Sequence, residues 1–135
     1  MLLIETYLAP SEIHGIGVFA AAPVLPGDVI WIFEPTLDRI VYPCDLQRLP
    51  PHSVAFLESH AEFYPDRGVF VLSGDHDRFT NHADDPNTGH SCEGPHNPFT
   101  PVIATRRIAQ GEEITCDYGV IRVKALGCRR PGAGA

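Results

Sequence analysis

The sequence predicts a mainly β domain with one short helix, and three observations carry that reading. First, 12 glycines and 13 prolines are scattered over 135 residues, and both residue types interrupt helix interiors. Second, short runs rich in Val, Ile, Phe and Thr sit between these breakers, and such residues suit a pleated, half-buried surface. Third, only His52–Tyr64, 13 residues long, escapes Gly and Pro for long enough to hold a helix of several turns. Helical bundles and coiled coils are excluded. A chain of this size supports one core, so one domain is expected.

The elements follow in order. Ile16–Ala20 (IGVFA) is the first strand. The turn Leu25-Pro26-Gly27-Asp28 reads as a hairpin connection between two strands and leads into Asp28–Phe33 (DVIWIF). Arg39–Tyr42 (RIVY) is a third strand, and Asp45–Leu49 a short helical turn. In the single helix, Val54, Leu57, Ala61 and Tyr64 recur on one helical face. Gly68–Leu72, Pro101–Ile108 and Glu113–Tyr118 are further strands, the last entered through the turn AQGEE. The folded domain is expected over residues 1–126, with a flexible tail, GCRRPGAGA, over 127–135.

Seventeen acidic residues against ten basic ones give a net charge of −7. Such a chain suits basic partners and is poorly suited to gripping nucleic-acid phosphates. No apolar run approaches the ~20 residues of a membrane span. The opening MLLIETYLAPSE carries Glu5 and Glu12 and no basic region, so it does not read as a signal peptide. A cytoplasmic location follows as the expectation, with Cys44, Cys92, Cys116 and Cys128 as reduced thiols.

Gly15-Ile-Gly-Val-Phe-Ala20 matches the dinucleotide fingerprint G-x-G-x-x-A, with Glu34 where a ribose ligand would stand. The fingerprint requires a following helix, whose N-terminus meets the pyrophosphate. Pro23, Pro26 and Gly27 forbid that helix. Two further motifs stand out. Arg78–Asn87 (RFTNHADDPN) is a loop dense in hydrogen-bonding side chains, which on its own is also how an Asx-rich surface turn would look. Gly111–Gly119 (GEEITCDYG) is a turn and a strand ending at Tyr118.

In the order HGIGVFA, LPGDVI, RFTNHADDPN and IATRRIAQGEEITCDYG, these segments resemble the SET domain family of protein-lysine methyltransferases. The resemblance runs over roughly residues 11 to 120, and the compact length is most like the minimal SET domains of viruses and bacteria. It implies a β-clip-like fold of small curved sheets, with knot-like threading of the C-terminal strand beneath the Asn-His loop. It implies S-adenosylmethionine as cofactor, held against His14, Gly15, Ile16 and Gly17 and touched by Asn81, His82 and Tyr118, with Arg78 and Phe79 holding the loop. Tyr118 matches the tyrosine of the final motif at the methyl-transfer centre. Tyr64 is the choice for a second catalytic tyrosine lining the lysine channel; Phe63 and Phe56 are the alternatives. Cys116 flanks the channel where many members carry Phe or Tyr. Its small side chain predicts di- or trimethylation.

The implied activity is methylation of a lysine ε-amine in a basic protein or peptide. The alternative is a catalytically inactive module that binds lysine-containing peptides. The sequence departs from the family in NHADDPN, where Ala83 and Asp84 replace Ser and Cys. No cysteine cluster follows Gly119, so Val120–Leu126 or a second subunit would have to close the channel. His90, Cys92 and His96 form an incomplete zinc set, and no metal is expected. Seven acids over residues 58–85 read equally as a solvated face and as an acidic wall for a Lys/Arg-rich substrate. Trp31, Phe33 and Phe99 are expected to be under-covered, which motivates a homodimer. No direct nucleic-acid or membrane binding is expected. The location is the cytoplasm or, for a viral protein or secreted effector, the host nucleus. With Tyr118 as the one evident ionisable group in the centre, turnover should rise tenfold per pH unit between about 7 and 9.

Overall fold

A computed structural model describes residues 1–91 and 97–117. The strands are β1 (Thr6–Pro10), β2 (Ile16–Ala20), β3 (Val29–Trp31), β4 (Arg39–Val41), β5 (Glu62–Tyr64), β6 (Val69–Leu72), β7 (Asn81–His82), β8 (Thr88–His90), β9 (Val102–Ala104) and β10 (Glu113–Cys116). One α-helix, α1, spans Pro51–His60, and 3-10 turns cover Pro43–Arg48 and His76–Phe79. They form three small sheets, ordered β1-β2-β10-β7, β3-β9-β8 and β4-β6-β5. Six strand readings from the sequence land on β2, β3, β4, β6, β9 and β10. β1 carries no clean alternation, since it buries no residue fully, and the sequence reading missed it.

The helix is shorter than its periodicity suggested. It starts at Pro51, a favoured first helical position, and stops at His60. Tyr64 therefore belongs to a strand and not to the face of Val54, Leu57 and Ala61. Cross-strand pairing overrode the 3.6-residue pattern: Glu62 pairs with Val71, Phe63 with Phe70 and Tyr64 with Val69. The hairpin closes through Gly68, whose φ of 62° lies in the left-handed region that favours glycine. Period-2 alternation then splits the strand residues between two clusters. Tyr64, Val69 and Val71 enter the main core with Val18, Ile30, Ile108 and Ile114. Phe63 and Phe70 pack beside Leu57 and Ala61 at the helix.

Leu25–Asp28 is a turn but not a hairpin. β2 pairs with β1 and β10, while β3 pairs with β9 in another sheet. The turn instead follows Val24, which bridges Ile108 through two hydrogen bonds of 2.8 and 2.9 Å. The turn after Ile108 repeats its chemistry. The Leu25 amide donates to Asp28 Oδ2 at 3.0 Å and the Ala109 amide to Glu112 Oε2 at 2.9 Å. Gly27 and Gly111 both take positive φ, 85° and 83°. One turn feeds β3 and the other β10.

β10 lies between antiparallel β2 and parallel β7. Asn87 clasps it from the side: its Nδ2 donates to the Glu113 carbonyl at 2.8 Å and its Oδ1 accepts the Thr115 amide at 2.9 Å. Thr88 Oγ1 donates to the Thr115 carbonyl at 2.7 Å. The expected path of the chain beneath the loop continues outside the described residues, as do Val120–Leu126 and the tail 127–135.

Two expectations are corrected. Trp31 is buried in the core and not under-covered; of the three aromatics named for an interface, Phe99 is exposed and stacks edge-on against half-buried Phe33. Cys44 is disulfide-bonded, against the expectation of reduced thiols, while Cys116 is a free thiol. Among the described residues no helix is long and apolar enough to cross a membrane.

Candidate functional site

Two neighbouring concavities hold the residues singled out in the sequence. The first is an open groove of about 1090 Å³, lined by Ile13–Ile16, Arg78–His82 and the end of α1 at Ser59 and His60. Five of the expected cofactor residues, His14, Gly15, Ile16, Asn81 and His82, thus line one groove. Gly15 sits at φ 47°, which suits glycine alone in the β1–β2 turn. Gly17 lies one step further along β2, where a Cβ would stand 2.6 Å from Glu113 Oε2. Glycine there admits the Glu113 carboxylate, which accepts from Ser11 Oγ at 2.7 Å and Asn81 Nδ2 at 3.0 Å.

Asn81 is 8% exposed, and its amide is spent on the protein itself. Besides Glu113, its Nδ2 donates to the carbonyls of His14 (3.0 Å) and Ile16 (3.2 Å). The side chain therefore fixes the glycine turn against the Asn-His loop. His82 Nε2 stands 3.0 Å from Asp84 and Nδ1 3.6 Å from Asp117. Arg78 Nε donates to the Ser73 carbonyl at 2.9 Å, and Phe79 packs on the core. These contacts tie the start of the loop to Ser73 and to the core.

The second concavity is an inner cavity of about 140 Å³. Its walls include Trp31, Glu62, Val71, Asp77, His90, Ile114, Cys116 and Asp117. Ser59, His60, Arg78 and Thr80 line both the groove and the cavity, so the two share a wall. Cys116, at the end of β10, pairs in register with His82. Tyr64 is 2% exposed and stands behind Glu62, donating its hydroxyl to Glu62 Oε2 at 2.9 Å. Tyr118 lies outside the described residues, one position beyond cavity-lining Asp117.

The cavity is acidic, and about a third of the Glu62 side chain stays open to solvent (34% accessible). Desolvation pushes the Glu62 carboxyl up to about 7, against the pull of the Tyr64 hydrogen bond and helped by Asp77. Desolvation also raises Asp77, whose carboxylate accepts from Ser73 and Thr80. The Tyr64 phenol is driven further up by burial and then by Glu62. The Cys116 thiol is likewise raised by burial and by both acids, so it stays neutral at physiological pH.

The sequence did not single out Glu62 and Asp77 as site residues; they stood among seven acids that read equally as a solvated face and as an acidic wall for the substrate. The signal was present: in a strand, Glu62 and Tyr64 are two apart and share a face. Reading that segment as helix separated them. Tyr64, expected to line the lysine channel, lines neither concavity, because its strand turns it into the core behind Glu62; Phe63 and Phe56 line neither as well. Of the metal candidates, His90 ends β8 and Cys92 and His96 lie outside the described residues.

The fold and the two neighbouring concavities define a mainly β domain built around the clasped strand β10. The chain belongs to the SET domain family, whose match spans residues 15–119. No curated protein matches it. Among solved structures, it is similar to a candidate histone methyltransferase of Plasmodium falciparum at 21% identity and a TM-score of 0.58, covering 87% of this chain and 96% of that one. It is also similar to a humanized mutant of the Chaetomium thermophilum Polycomb Repressive Complex 2 bound to an inhibitor, at 21% identity and a TM-score of 0.63. That match covers 86% of this chain and 15% of the other. At these identities the likeness carries the fold.

Proposed function

We propose that the protein transfers a methyl group from S-adenosylmethionine to a lysine ε-amine of a basic protein. The observation that supports this reading is the shared wall of Ser59, His60, Arg78 and Thr80, which sets an open groove beside a smaller cavity. A methyl donor in the groove and a lysine in the cavity would meet there. The groove suits the donor: apolar Ile13, Ile16 and Phe79 alternate with polar His14, Asn81 and His82. The cofactor would supply an activated methyl on a positively charged sulfur, and the carboxyls of Glu62, Asp77 and Asp117 favour positive charge nearby.

This chain's part is to orient and to deprotonate. Holding the amine in line replaces a bimolecular encounter, worth up to ~7–11 kcal/mol in good cases. A lysine at pH 7 is neutral only about once in 2,500, a cost near 4.6 kcal/mol that the site must offset. Tyr118 directs the amine's lone pair, and Tyr64 acts from behind the cavity through Glu62. The acids of residues 58–85 that remain on the surface favour Lys/Arg-rich sequences around the target. A homodimer through the Phe33–Phe99 edge completes the reading.

Cys116 sets the number of methyl groups. Its thiol is small, neutral and a weak donor, so an amine that already carries methyls can still turn in the cavity. Di- or trimethyl-lysine is the expected product, and Cys116→Tyr should shift it towards monomethyl-lysine by mass spectrometry. The test of the function is incubation of the protein with radiolabelled S-adenosylmethionine and a lysate of basic proteins, beside calorimetry with S-adenosylhomocysteine. Label on lysine, with cofactor binding lost in Asn81→Ala, supports it. Absence of binding to the wild-type protein refutes it.

A further inference from the structure

We propose that Glu62 is the residue that accepts the proton of the substrate lysine inside the cavity, an inference that rests on the methyl-transfer reading above. Three observations lead to it. Glu62 lines the inner cavity, and 34% of its side-chain surface remains accessible. Tyr64 fixes one carboxylate oxygen, Oε2, at 2.9 Å. The other, Oε1, accepts no hydrogen bond among the described residues and stands 3.9 Å from His90 Nε2. One oxygen is thus held by a hydrogen bond, and the other accepts none among the described residues and faces the His90 imidazole at ion-pair distance.

Three neighbouring groups are less suited. Both oxygens of Asp77 already accept hydroxyl bonds, from Ser73 at 2.7 Å and Thr80 at 3.3 Å. The Cys116 thiol is neutral and a weak acceptor. Tyr64 faces Glu62 as a donor. Glu58, His60, Arg78 and Asp117 line the same cavity, and Arg78 is tied to the Ser73 carbonyl. Trp31 closes another wall, and its buried Nε1–H finds no acceptor among the described residues.

In the step, the N–H bond of the ammonium breaks and an O–H bond forms on Glu62 Oε1. The electron pair left on nitrogen would form the new bond to the methyl group as the methyl–sulfur bond of the donor breaks with its pair staying on sulfur, and the proton would pass from Glu62 to solvent afterwards. Desolvation holds the carboxyl near the operating pH, where a general base works best.

The wild-type protein gives the first test, with an Arg/Ala peptide carrying one central lysine. If Glu62 takes the proton, the single-turnover rate levels off at or below about pH 7, because the carboxylate is then ionised while the lysine is still protonated. A rate that keeps rising tenfold per unit from about 7 to 9 overturns the proposal and leaves methyl transfer intact. A wild-type protein that methylates no lysine peptide overturns both. The second test uses Glu62→Gln, which keeps an acceptor for Tyr64. It should slow the lysine peptide at pH 7 by ~10²–10⁴-fold, and bind it about tenfold more weakly by calorimetry, since the ion pair is lost. With an oxyamine analogue of lysine, uncharged at neutral pH, rate and affinity should stay within about threefold of wild type. An equal loss on both peptides assigns Glu62 a structural role only.

Discussion

The open groove and the inner cavity share a wall yet are assembled in opposite ways. The groove comes mainly from two continuous stretches, Ile13–Ile16 and Arg78–His82, laid side by side. Its shape depends on backbone, two glycines and the Asn81 amide. The cavity takes one or a few side chains from each of many elements, among them Trp31, Glu62, Asp77, His90 and Cys116. Continuous backbone leaves a motif in the sequence. Scattered side chains leave none until strand register is known. The difference also divides the work: the groove is a rigid cradle, while the cavity is a chemical environment set by desolvation.

The comparison is broken most severely on the cavity side. Ser73 and Asp77, two of its walls, are carried by the segment through Gly74. A Cβ on Gly74 would stand 1.9 Å from the Leu37 carbonyl oxygen, which is backbone and cannot step aside. Gly74→Ala should cost about 3 kcal/mol or more, read as a shift of the urea midpoint with unchanged slope. An effect below about 1 kcal/mol would mean that the cavity walls are not rigid.

Next in size is Asn81→Ala on the groove side. It leaves the His14 and Ile16 carbonyls and the Glu113 carboxylate without their shared donor. A loss of about 2–3 kcal/mol is expected by denaturation, together with loss of S-adenosylhomocysteine binding by calorimetry. Binding that survives would show that the cradle holds without its clamp.

The smallest effect is pH-dependent and belongs to the cavity alone. Glu62 titrates at about 7 in the folded protein against 4.5 ordinarily. The folded state then binds more protons than the unfolded chain between these values. This contribution to stability is present below about 4.5 and is lost as pH rises through about 7. With a third of the side chain accessible, screening reduces the effect to about 1–2 kcal/mol. Asp77 is shifted in the same direction. Urea midpoints at pH 5 and 8 should differ by that amount in the wild type and by less in Glu62→Gln. Equal differences in both proteins would place the Glu62 carboxyl in water.

The same contrast explains how much was legible beforehand. The β class, six strands and the residues of the groove were visible, because Gly15, Gly17, Asn81 and His82 stand in ordered motifs with local signals. The end of α1 was not, since the apolar period of Val54, Leu57 and Ala61 runs on to Tyr64 by coincidence. Only the pairing with β6, a non-local contact, ends the helix. That error hid Glu62, whose role depends on sharing a strand face with Tyr64. Leu25–Asp28 was read correctly as a turn and wrongly as a hairpin, because no local feature says that β3 joins a different sheet from β2. The Gly74–Leu37 contact leaves no local trace.

The position of β10 also dictates when this protein can come into being during synthesis. Glu113 and Ile114 pair with Phe19 and Val18, 94 and 96 residues earlier in the chain, and Thr115 and Cys116 pair with Asn81 and His82. Until that last segment leaves the ribosome, β2 and β7 wait with bare edges, ready to recruit strands from other chains. Contacts so distant in sequence also form slowly. A nascent copy therefore passes through a vulnerable interval before β10 pairs, in which the cavity wall that β10 supplies does not yet exist.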